Sequence, residues 1–209
     1  MYSDSLFNAC ETSPVVVHVY DIFKFNNYID RLGFGVYHTG VEVYGTEYCY
    51  GGHPNEFSGI FPMEPKNMEI LGDEYTFKVS LNMGTTDFTE NDVRQILITL
   101  GNQFCGYDYN LLKKNCNHFS GAFIQILLSQ TLPKWINRLA ETSSSIPFIE
   151  KIIPKEWLRP QDYMDDESDV NMMCAKSFYY PEQSGSSSEW IVIDPRKENE
   201  NDASCCSHK

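Results

Sequence analysis

The sequence predicts an α+β fold in which a small antiparallel sheet packs against helices. Three observations carry that prediction. The first half of the chain holds β-branched or alternating runs bounded by glycine and proline. The second half holds apolar residues at helical spacing. No apolar run approaches the roughly 20 residues of a membrane span, so the hydrophobic residues are free to form a core.

In chain order, Pro14–Asp21 is a dense β-branched run and predicts a buried first strand. The segment Ile22–Leu32 has no firm period and is read as a loop or a short helix. Across Gly35–Gly45, Val36, His38, Gly40, Glu42 and Tyr44 alternate with Tyr37, Thr39, Val41 and Val43, which places His38 and Glu42 on one strand face. Thr46–Tyr50 continues after Gly45 as the second arm of a hairpin. Gly51-Gly52-His53-Pro54 then marks a loop, and Ser58–Phe61 with Pro62 and Pro65 prolongs it. Glu74–Met83 alternates again and predicts another strand.

Thr89 reads as a helix N-cap with Asp92 three residues on, and Val93, Ile96, Leu97, Leu100 and Phe104 supply that helix's apolar face. A second helix is expected from Cys116 through Leu128, and a third over Leu132–Leu139 with Pro133 in its first turn. The folded domain is expected over residues 1–160. From Asp162 to Lys209 there are eleven acids against four bases. With so few apolar residues, 161–209 is predicted to be an acidic, disordered tail.

Composition narrows the function. A net charge of −13 argues against nucleic acid as a partner, since phosphate contacts need clustered Lys and Arg. The seven cysteines are odd in number and scattered, with no C-x-x-C pair. Met1-Tyr-Ser-Asp-Ser lacks the basic start and apolar core of a secretory leader. The expectation is a reducing setting, cytoplasmic and also nuclear, where a free thiol can do chemistry. No cofactor is expected and no metal: Cys49, His53, Cys116 and His118 lack zinc-ligand spacing.

The chemistry centres on Lys113–Ser120, where Cys116 starts an apolar helix. Free N–H groups and the helix dipole at that end favour a thiolate, and the same groups can hold an oxyanion. A thiol nucleophile also needs a histidine to carry its proton. His18 lies in an apolar strand and His208 in the tail, while His118, two residues from Cys116, is turned by about 200° around a helix. His38 and His53 remain as candidates on the residues alone. Asn115 and Asn117 are candidate oxyanion donors or helix caps. Gly51 and Gly52 are candidates for a narrow substrate groove or a plain turn. Glu42 is too far along its strand to orient His38 directly.

These motifs carry a resemblance. Tyr37-His-Thr-Gly-Val-Glu-Val43, Tyr50-Gly-Gly-His-Pro54, Ser58-Gly-Ile-Phe61, Gly84-Thr-Thr-Asp-Phe88 and Asn115-Cys-Asn-His-Phe-Ser120 resemble the PPPDE superfamily of thiol peptidases. Within it they resemble the desumoylating isopeptidases, the second (DeSI-2) type more than the first. The match runs from about Val15 to Leu158 and leaves out the tail. The resemblance implies a circularly permuted papain-like fold with the histidine strand preceding the cysteine helix, and it implies the pair Cys116 and His38 as catalytic. It further implies cleavage of an isopeptide bond after a terminal Gly-Gly, so SUMO or ubiquitin and their conjugates are the expected partners, with a homodimer as the expected assembly in some relatives.

Two competing readings keep the same residues. One is an S-acyl thioesterase using Cys116 and His38; the other is a non-catalytic module that binds ubiquitin-like modifiers. In the tail, Ile191, Val192, Ile193 and Asp194 follow a serine-rich acidic stretch and resemble a SUMO-interacting segment able to add a strand to a sheet edge. Cys205 and Cys206 near the end invite a lipidation reading, which the residues beside them do not support.

Overall fold

The computed structural model describes residues 12–22, 35–143, 151, 153–163, 180–181 and 190–191. The elements in order are β1 (Ser13–Ile22), β2 (Tyr37–Val43), β3 (Thr46–Tyr50), β4 (Ile60–Met63), α1 (Met68–Leu71), β5 (Tyr75–Thr86), α2 (Glu90–Gly101), α3 (Cys116–Leu128), α4 (Arg138–Ser143) and α5 (Lys155–Leu158). Two short strands, β6 (Tyr180–Pro181) and β7 (Trp190–Ile191), pair with each other. The first five strands form one antiparallel sheet in the order β4-β3-β2-β1-β5.

Local chemistry accounts for these elements. Tyr44 and Gly45 both take positive φ, 52° and 72°, the conformation of a two-residue turn that matches strand twist, and β2 and β3 pair from Val43↔Thr46 onward. The strand β4 was not expected, because Pro62 reads as a breaker. It lies at the sheet edge, where a missing N–H costs nothing on the outer side. At the other edge β5 runs three residues past its expected end, with a bulge where Val15 faces Gly84 and Val16 faces Asn82; Gly84 has φ 123°. Helix α2 begins with a complete capping box: Asp92 N–H donates to Thr89 Oγ1 at 3.2 Å, and Thr89 N–H donates to Asp92 Oδ2 at 2.9 Å.

The predicted helix over Leu132–Leu139 is a correction. Residues 134–137 form a turn, with Ile136 N–H donating to Pro133 O, and the helix starts only at Arg138. Tertiary contacts outweigh local propensity here: Trp135 packs edge-on against Tyr37, Ile136 is buried, and Asn137 bonds to α3.

The sheet has two faces. Val15, Val17, Val19, Val41 and Val43 join Phe119, Phe123, Ile124 and Leu97 in the main core under α2 and α3. On the opposite face Tyr20, Cys49, Phe61 and Met63 form a smaller cluster covered by α1. Among the described residues no helix is long and apolar enough to cross a membrane. The expectations for 1–11, 23–34, Val192–Asp194, Cys205, Cys206 and most of the acidic tail lie outside the described residues.

Candidate active site

Strand β3 pairs with β2 only from Val43↔Thr46 to Gly40↔Cys49, with β4 along its other edge. Backbone groups alternate sides along a strand, so those of Tyr37 and Thr39 point the same way as those of Val41 and Val43, toward the space β3 has left. The first turn of α3 fills that space. Asn117 Nδ2 donates to Tyr37 O at 3.0 Å, Ser120 Oγ donates to Thr39 O at 3.4 Å, and the Thr39 backbone N–H favours negative charge on the Cys116 sulfur. The sulfur also lies 3.8 Å from Tyr37 O. Side chains of a helix thus stand in for a missing strand, and the thiol sits at the sheet edge against Tyr37 and Thr39, the residues on either side of His38 in the chain.

Cys116 is the first residue of α3 and is 1% exposed. Its own N–H, the N–H groups of Asn117 and Thr39 and the Tyr109 hydroxyl all act on the sulfur. Each favours a thiolate, yet burial outweighs them and pushes the thiol up to about 11. Tyr109 is itself buried, which holds its phenol well above the usual range, so it remains a donor.

His38 is 5% exposed, and burial pushes it down to about 4. At neutral pH the proton therefore rests on sulfur and the imidazole is neutral. Its Nε2 has no hydrogen-bond partner among the described residues. The imidazole does not point into the helix packed on the sheet. Thr39 faces α3, donating to Asn117 Oδ1 at 2.8 Å and Ser120 Oγ at 2.9 Å, so its neighbour His38 leaves the strand on the other face. There it lies against Tyr20 and Tyr75, with ring centroids 6.1 and 5.3 Å away.

Asn115 is the N-cap of α3. Its Oδ1 accepts from His118 N–H at 3.0 Å, and its Nδ2 donates to Leu111 O at 2.7 Å and Asn137 Oδ1 at 2.9 Å. His118 Nδ1 accepts from Asn115 N–H at 3.1 Å and closes the capping box. Asn117 Nδ2 is held by Tyr37 O and by Asn137 Oδ1 at 3.4 Å. Both amides are thus committed to the fold and are not free to receive an oxyanion. Around them Gly35, Tyr37, Leu111, Asn115, Asn117 and Asn137 border a small cleft that does not include Cys116.

The loop glycines are also structural. Gly51 N–H donates to Gly59 O at 3.0 Å, and a Cβ on Gly59 would fall 2.2 Å from Gly51 O. Neither Gly51 nor Gly52 lines the cleft. His53, expected in a surface loop, is 1% exposed with its Nε2 on Ser58 O at 3.1 Å, and its ring fills the space a Gly106 Cβ would need. Glu42 accepts from His18 Nε2 at 2.6 Å, and His18 Nδ1 contacts Ser80 Oγ at 2.8 Å, so Glu42 serves another histidine. Backbone pairing with Tyr180 takes up Ile191, the one described residue of the SUMO-interacting segment. Sequence reasoning missed Tyr109, Tyr75, Tyr20 and Glu47; only the aromatic richness of the chain hinted at the first three.

Residues 13–157 match the profile of the PPPDE putative peptidase domain. The chain is 45% identical over 157 residues to a desumoylating isopeptidase 1 homolog of Caenorhabditis elegans, covering 75% of this chain and 47% of that protein. It is 38% identical over 132 residues to a DeSI-like protein of Arabidopsis thaliana, covering 63% of this chain and 57% of the relative. Against human desumoylating isopeptidase 1 the identity is 30% over 150 residues, covering 68% and 83%. The chain thus spans about half the length of the nematode and plant relatives.

Proposed function

The chain belongs to the PPPDE peptidase family, and we propose on that footing that it is a cysteine isopeptidase that removes SUMO or ubiquitin from lysine side chains. One observation supports this above others. A buried thiol at a helix N-terminus is favoured as a thiolate by three backbone N–H groups, and Tyr75, close enough to feel that sulfur's charge, packs against a neutral His38 whose buried Nε2 is unpartnered among the described residues. The names of the relatives, desumoylating isopeptidase, supply the substrate class. We read the fold as a permuted papain-like one, because the histidine strand precedes the cysteine helix.

In the proposed reaction the Cys116 thiol passes its proton to His38, and sulfur attacks the carbonyl carbon of the terminal glycine. The oxyanion is met by the first-turn N–H groups of α3, which already converge on the sulfur. Collapse breaks the C–N bond, and His38 returns its proton to the departing lysine amine. Water then attacks the thioester with His38 as base, releasing the glycine carboxylate and restoring the thiol. Because burial holds the proton on sulfur, substrate binding must supply the drive to move it. A thiol nucleophile of this kind fits the cytoplasm or nucleus.

The test is covalent capture with SUMO and ubiquitin probes that end in Gly-Gly and carry a thiol-reactive electrophile. Labelling lost in Cys116→Ala and sharply reduced in His38→Ala is expected. Turnover of a fatty-acyl thioester without any probe labelling would replace the isopeptidase reading, and tight modifier binding without turnover would replace both.

A further inference from the structure

We propose that Tyr75 and Tyr20 are positioning residues that fix the His38 ring by packing, taking the place of a hydrogen-bonding third residue. This rests on the Cys116–His38 reading above. A dyad histidine must aim a ring nitrogen at the sulfur, and rotation about its last side-chain bond would aim a carbon instead. Orientation usually comes from a carboxylate or amide bonded to the second nitrogen. The polar groups placed to do so are engaged elsewhere. Glu42 is held by His18 at 2.6 Å, and the amides of Asn115 and Asn117 are bonded on the other side of β2.

What surrounds His38 instead is aromatic. Tyr75, the first residue of β5, meets the imidazole nearly edge-on, with centroids 5.3 Å apart at 69°. Tyr20, the cross-strand partner of His38, meets it at 6.1 Å and 44°. Such offset and edge contacts are favourable for π-systems and resist rotation of the enclosed ring.

The Tyr20 ring is rigid because its hydroxyl is anchored. It donates to both oxygens of Glu47, at 2.8 and 2.9 Å, and Glu47 is fully buried. Glu47 Oε2 also accepts from the Lys66 N–H at 2.9 Å. The carboxylate reaches Tyr20 across Gly40, where a Cβ would fall 2.1 Å from Glu47 Oε1. Three strands thus combine to hold one ring still: β1 through Tyr20, β3 through Glu47 and β5 through Tyr75. The titratable groups that share the face or edge with His38 are His18, Tyr20, Glu42, Glu47, Cys49, Tyr75 and Cys116.

The experiment measures kcat and KM on a Gly-Gly-terminated modifier with a fluorogenic leaving group, for the full chain and for Tyr75→Phe and Tyr75→Leu. Tyr75→Leu is expected to lose about 10–100-fold in kcat with KM within about twofold, the scale of a misplaced catalytic group. Tyr75→Phe, which keeps the ring, is expected to stay within about threefold. Where the leucine variant fails to fold, Tyr75→Met fills the volume without a ring and should show the same loss. Full kcat in Tyr75→Leu, or equal losses in the leucine and phenylalanine variants, would overturn the proposal. Imidazole ¹⁵N spectra separate it from the isopeptidase reading. A single His38 tautomer that becomes averaged in Tyr75→Leu supports the packing clamp even if no modifier is cleaved, and an unchanged spectrum sinks the clamp even if cleavage is intact.

Discussion

Cys116 and Cys49 are both buried free thiols, 1% and 0% exposed, and they differ in the sign of the polar groups placed against the sulfur. Burial raises both. At Cys49 the neighbours add to that rise, because the Glu47 carboxylate is 3.8 Å from the sulfur. At Cys116 the neighbours oppose it, because N–H groups and the Tyr109 hydroxyl stabilise negative charge. The lesson is that burial alone does not separate a structural thiol from a nucleophile. The sign of the local dipoles does.

The comparison can be broken in decreasing steps. Cys116→Ala should abolish probe labelling, while Cys49→Ala should keep it within about twofold; equal losses would remove the distinction. Next comes pH. His38 is held near 4 in the fold, below an ordinary value near 6.5. The unfolded chain then binds the extra proton first, so stability falls as pH drops from 6.5 toward 4. The loss approaches about 3 kcal/mol, and denaturant midpoints of His38→Gln should lack that component. Cys116 has the opposite window. Raised to about 11 from 9, it contributes stability that is lost as pH rises through that interval, and Cys116→Ala should flatten it.

Tyr109→Phe removes one donor from the sulfur and should cost on the order of 10²-fold in kcat/KM, with the expressed protein still folded by circular dichroism. Asn117→Ala leaves Tyr37 O and the Thr39 hydroxyl short of partners and should lower stability by about 2 kcal/mol in urea titrations. The smallest effect is structural: Cys49→Ala should cost about 1 kcal/mol through the small cavity it leaves, with the pH profile of turnover unchanged.

The contrast between the two thiols was only half legible in the sequence. A cysteine preceded by Asn115 and followed by an apolar helical run announces its place at a helix start, because caps and periodicity are local signals. So are the Tyr44–Gly45 hairpin and the Thr89–Asp92 box. What surrounds Cys49 depends on Glu47 folding over Gly40 toward Tyr20, a contact between residues 27 apart, and no local pattern encodes it. The same limit hid the burial of His53, which fills a gap opened by Gly106, and the engagement of Asn115 and Asn117, whose partners include Asn137 far along the chain. Pro62 misled because the edge position that tolerates it is a property of the sheet.

One contact carries a practical consequence. The Thr39 backbone N–H is one of the groups that stabilise charge on the Cys116 sulfur, so this backbone proton is a built-in spectroscopic gauge of the thiol. Its chemical shift should move when the sulfur ionises, is alkylated or forms an acyl intermediate. In a ¹H–¹⁵N spectrum it would report the progress of each step from inside the strand, without any label on substrate or enzyme.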